Sequence, residues 1–122
     1  MGLRVYLSGE IHTDWRDQII DACDGLDVIF DGPVTDHAAS DDCGVAILAD
    51  VVVVRFGEKY KQWNAAFDAG FAAALNKSLI ILQQPEHDHA LKEVDAAALA
   101  MTRTPQEVAQ ILRYVLTGAL PK

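Results

Sequence analysis

Two stretches of the chain are apolar at consecutive rather than alternate positions: Asp50–Phe56 (DVVVVRF) and Ser78–Leu82 (SLIIL). A strand with one wet face alternates apolar and polar residues. A continuous β-branched run therefore predicts a strand covered on both faces, as in a parallel sheet. Parallel neighbours cannot be joined by a tight turn; a crossover of about a dozen residues or more, usually helical, must return the chain. The stretch from Trp63 to about Asn76 supplies that helix.

The rest of the chain repeats the alternation. Leu3–Leu7 (LRVYL) reads as a first strand stopping at Ser8-Gly9. Thr13 is placed to cap the next helix, with Asp14 and Asp17 at the positive end of its dipole and Gly25 after its end. Asp27–Phe30 reads as a second strand and Ala96–Met101 as a short last one, with Pro85–His89 a loop. Thr104-Pro105-Gln106-Glu107 is a capping box with proline at the first helical position, opening a helix to about Leu116. Strands alternating with helices predict a three-layer α/β/α domain on a parallel sheet of four or five strands. Ligands of such sheets sit at the strands' carboxyl ends.

With 122 residues, 51% of them hydrophobic, the chain is expected to form one domain over residues 1–122. One crossover is too short. Between Phe30 and Asp50 only Cys43–Ala49 can be helical, about two turns, so either the connection is irregular or, the favoured reading, a segment is missing near residues 48–49. Ten basic side chains against 18 acidic ones give a net charge of −8. Nucleic acid and anionic membranes both need a concentrated basic face, so neither is an expected partner. Cys23 and Cys43 are too few for a disulfide framework and lack zinc-site spacing, and no secretory signal opens the chain. The expected setting is cytoplasmic, with no cofactor and no metal; His87-Asp88-His89 alone is a weak metal pattern.

Three features carry candidate chemistry. The first βα turn reads Ser8-Gly9-Glu10-Ile11-His12-Thr13, without a phosphate-binding glycine fingerprint. Gly9 allows close approach and Glu10 would repel a phosphate, so a neutral hydroxyl-rich ligand such as a sugar suits this turn. The second feature is Asp68, mid-helix and without another charge within five residues on either side. Aspartate is a poor mid-helix residue, and Gly70 beside it is unfavourable unless something approaches closely. Two poor choices in an otherwise well-behaved helix point to function; the alternative is that Asp68 lies on a solvated face, against which Ala65, Ala72 and Leu75 share its side. The third is the polar loop from Gly32 to Gly44. There Asp36, His37, Ser40 and Asp41 could bond a sugar or a base, hold a hard cation weakly, or simply be solvated. Beyond the central strand, Tyr60 and Trp63 could stack on a flat ring or pack against the sheet edge.

Three segments carry a resemblance: Val5–Arg16 (VYLSGEIHTDWR), Gly32–His37 (GPVTDH) and Phe56–Asn64 (FGEKYKQWN). With Leu91-Lys92-Glu93 and the final helix, they make the chain similar to the YtoQ family, small bacterial proteins related in fold to nucleoside 2-deoxyribosyltransferases. The resemblance implies a flavodoxin-like fold and an extra, partly basic segment in relatives between the counterparts of Leu48 and Ala49. In those transferases the nucleophile is a glutamate in a helix that matches Ala65–Ala72, which places Asp68 at the nucleophile, one methylene shorter. A sugar-binding aspartate six residues earlier is replaced here by Gln62, and Ala49-Asp50 matches a further carboxylate. The expected function is an enzyme acting on an N-glycosidic bond of a nucleoside or nucleotide. Asp68 and Glu10 would be catalytic, and Gly9, His12, Asp36, His37, Asp50, Tyr60, Trp63 and Asn64 would hold the small-molecule ligand. The alternative is a non-catalytic binder of a nucleoside or sugar-like metabolite. Relatives of this fold often complete their sites from a neighbour, which implies a homo-oligomer.

Overall fold

The computed structural model describes residues 2–9, 13–31, 49–57, 63–84 and 92–118, with only the backbone of 63–65 and 92–93. The two continuous apolar runs are strands buried on both faces. Val51–Arg55 (β3) lies beside Ser78–Leu82 (β4) in parallel, with Val53 opposite Ile80. Leu3–Gly9 (β1) flanks β3 on the other side, and Val28–Asp31 (β2) and Ala100–Thr102 (β5) form the edges. The order is β2-β1-β3-β4-β5 with every pair parallel. That is the flavodoxin-like order, whose chain reverses direction across the sheet between β1 and β3.

Strand alternation sorts the core into two layers. Val5, Leu7, Val53 and Ile80 point to one face, where they meet Trp15 and Ile19 of Trp15–Ala22 (α1) and Val108 and Leu112 of Pro105–Thr117 (α4). Tyr6, Val52, Val54 and Ile81 point to the other, against Ala69 and Ala72 of Trp63–Ala74 (α2) and Val94 of Lys92–Ala97 (α3). The three layers follow from these faces. No helix among the described residues is long and apolar enough to cross a membrane.

Several elements differ locally from the sequence reading. α1 starts at Trp15 with Asp14, not Thr13, in the capping position, and Asp14 makes no cap bond. Its carboxylate accepts from Gln18 Nε2 at 2.7 Å instead. The stretch expected as a last strand from Ala96 divides: residues 92–97 are helix α3, and only Ala100–Thr102 pairs with β4. A short apolar run without alternation does not distinguish helix from strand, and alanine favours the helix. The capping box was legible in full. Thr104 Oγ1 accepts from the Glu107 N–H at 3.2 Å, Glu107 Oε1 accepts from the Thr104 N–H at 3.1 Å, and Gly118 (φ 71°) closes α4. The short crossover and the loop at Pro85–His89 lie outside the described residues.

Candidate active site

At the carboxyl edge of the sheet, β1 and β3 end side by side, with Gly9 opposite Arg55. Their following helices lie on opposite faces, so the crevice of this topology opens there. Gly9 is required by its neighbour: its φ is +123°, and a Cβ would stand 2.2 Å from the Arg55 carbonyl oxygen. The sequence reading gave Gly9 to a ligand's close approach. The structure adds the approach of β3 itself.

The preceding residue makes the central contact. Ser8 is 1% exposed, and its hydroxyl donates to Asp68 Oδ2. β1 alternation turns Ser8 to the α2 side, as it does Tyr6. On α2, Asp68 adjoins Ala69, which packs on the sheet, so its carboxylate reaches the end of β1.

A cation secures the other side of the turn. Leu3 N–H bonds Asp27 of the β2 side, while Arg4 C=O bonds Asp50 N–H of the β3 side. By alternation the carbonyls of Leu7 and Gly9 face the β2 side, yet β2 pairing ends at Asp31 opposite Tyr6. The Arg16 side chain fills the gap. Nε donates to Leu7 O at 3.1 Å and an Nη to Gly9 O at 3.2 Å, and the guanidinium lies 4.7 Å from the Trp15 ring centre. A cation in a helix's first turn costs about 0.3–1 kcal/mol against the dipole. Two charge-assisted bonds at about 1.5–3 kcal/mol each outweigh it.

Of the sequence candidates, Gly9 and Asp68 are brought to this edge. Trp63 and Asn64 open α2, with Asn64 one helical turn before Asp68. Glu10, His12, Asp36, His37 and Tyr60 lie outside the described residues, as does the whole Gly32–Gly44 loop. Asp50 is a correction. It precedes β3, at the amino edge of the sheet, where its carboxylate accepts from the Arg4 N–H at 2.9 Å. Five residues of strand rise put it about 16 Å along the sheet from Arg55, too far to share a ligand with Asp68. Gly70 is exposed, and no described residue lies within 4 Å of a Cβ placed there.

The sequence reading missed Ser8 and Arg16. Each left a signal. Ser8 is a small polar residue at the end of a largely apolar strand, and Arg16 is a cation where the helix dipole disfavours one.

Fold and site together define a flavodoxin-like α/β protein with a hydroxyl-bound carboxylate at its topological switch point. More particularly, the chain belongs to the family described as nucleoside 2-deoxyribosyltransferase YtoQ, whose profile matches residues 6–49 and 47–116. The uncharacterized protein YtoQ of Bacillus subtilis (strain 168) is 34% identical over 140 residues, covering 91% of this chain and 95% of its own. A conserved protein from Enterococcus faecalis V583, known as a crystal structure, shares the fold. Its TM-score is 0.66 over 95% of this chain and 100% of its own, at 11% identity.

Proposed function

We propose that this protein cleaves or exchanges the N-glycosidic bond of a nucleoside or nucleotide, with Asp68 as the nucleophile. The observation that carries the reading is the Asp68 carboxylate, held by Ser8 at the carboxyl end of β1 beside Gly9. Membership of a family described by a nucleoside transferase supports the substrate class. In the first step Asp68 attacks the anomeric carbon and the C–N bond breaks. Its electron pair leaves with the base, which takes a proton from an acid; Glu10 is proposed for that role. In the second step water or another base attacks the same carbon and frees the Asp68 carboxylate. Splitting one displacement into two is the use of a carboxylate nucleophile.

The test is release of base from ribo- and deoxyribonucleosides and their monophosphates, followed by chromatography beside thermal shift. Wild type should release base; Asp68→Asn should release none yet shift equally with ligand, since the amide binds but cannot form the ester. A ligand at a hundred times its Kd adds about 2.7 kcal/mol whether or not it reacts. Shifts without release in wild type would favour the non-catalytic binder.

A homo-oligomer and a cytoplasmic setting belong to the same proposal. Phe67, 59% exposed and stacked on Phe71 with ring centres 6.0 Å apart, supports an association surface. The free thiol of Cys23 supports a reducing compartment. A monomer in light scattering would count against the first.

A further inference from the structure

We infer that Ser8 and Arg16 are positioning residues for Asp68, acting together as one clamp across the end of β1. The inference rests on the nucleophile reading of Asp68. Arg16 binds the carbonyls on either side of Ser8, those of Leu7 and Gly9, and thereby fixes the peptide units from which the Ser8 side chain projects. Ser8 is buried and its hydroxyl donates to Asp68 from a strand that β3 pins on the opposite side through Gly9.

The Asp68 carboxylate is thus held from outside its own helix. α2 alone sets where its Cα lies; the clamp sets where its oxygens lie. A nucleophile needs that control, because misplacement by about 1 Å costs roughly 100-fold in rate. Two Arg16 bonds go to the turn itself, and through them it acts on the peptide units that carry Ser8. Its position in the first turn of α1, poor for helix formation, is explained by this duty.

The closing experiment separates the clamp from the nucleophile reading. Ser8→Ala and Arg16→Gln are assayed beside wild type for base release. Each should cut kcat about 100-fold while KM stays within about threefold, the pattern of an interaction made in the transition state. Ser8→Thr, which keeps the hydroxyl, should recover most of kcat; if the added methyl prevents folding, the Arg16 variant still decides. Normal kcat per folded molecule in Ser8→Ala or Arg16→Gln overturns the clamp. If wild type itself releases no base, the nucleophile reading falls, and a stability cycle judges the clamp alone. Ser8→Ala with Asp68→Ala should then lower Tm by about 5 °C less than the sum of the single changes, as a charge-assisted bond requires. That shortfall should shrink in an Arg16→Gln background. An additive cycle, or one indifferent to Arg16, overturns the clamp whatever the turnover.

Discussion

Gly9 has no room for a side chain. A Cβ there would lie 2.2 Å from the Arg55 oxygen and 2.8 Å from its nitrogen, at a φ of +123°. Gly9→Ala must therefore part β1 from β3 or carry a strained backbone, at a cost of about 2–4 kcal/mol. Urea unfolding should show the loss as a lower midpoint at an unchanged slope. Cys23 makes a second prediction. Burial raises its thiol above the ordinary value of 9.0, against a smaller opposing pull from Arg113. The unfolded thiol therefore loses its proton first as pH rises, so this contribution is complete below about pH 9 and declines above it. Cys23→Ala should be less stable at neutral pH, through lost packing, and should show a shallower alkaline decline in Tm. A decline of equal steepness in both proteins would refute the assignment. Asp68 could be found in the sequence because a lone carboxylate in an alanine-rich helix is costly. Ser8 could not be recognised as its partner, since 60 residues separate them.

Helix α2 carries a cost with no visible return. Gly70 is exposed, and nothing described would touch an alanine methyl there. Gly70→Ala should stabilise the protein by about 0.5–1 kcal/mol, a rise of a few degrees in Tm, because it removes backbone freedom from the unfolded chain. A fall instead would mean that a ligand or another chain packs closely on that face. Legibility also varied by element. α4 announces itself by Thr104, Pro105 and Glu107, each acting through a bond or a fixed φ within one turn. β3 and β4 are legible because only two-sided burial explains VVVV and LIIL. α3 and β5 share one short apolar run, and the tertiary contact with β4 that divides them has no local mark. β1 runs two residues beyond its expected end at Leu7, through Gly9. The Ser8-Gly9 punctuation hid that extension, because Arg16 takes over the carbonyls that β2 leaves behind.

The fold as a whole follows from alternation, and the candidate site follows only in part. Chain order already places a residue before a parallel strand at the amino edge, so Asp50 entered the site through resemblance rather than geometry. The described sheet has two halves joined along the β1–β3 seam: the βαβ unit β1-α1-β2 on one side, and β3-α2-β4 continued by β4-α3-β5 on the other. Within each unit the paired residues are close in sequence: Leu3 and Val28 differ by 25 positions, Val53 and Ile80 by 27. Across the seam, Val5 and Val51 differ by 46. Local pairings form first when longer closures cost more entropy. Ser8→Ala should accordingly speed unfolding while leaving the refolding rate nearly unchanged, as for a contact absent from the transition state. Equal slowing of refolding would place the seam in the nucleus. Ser8 and Gly9 come from one unit, Asp68 and Arg55 from the other. A chain that has folded its halves without docking them therefore has helices and strands and no Ser8–Asp68 contact, so assembly of the candidate site reports the last event of folding.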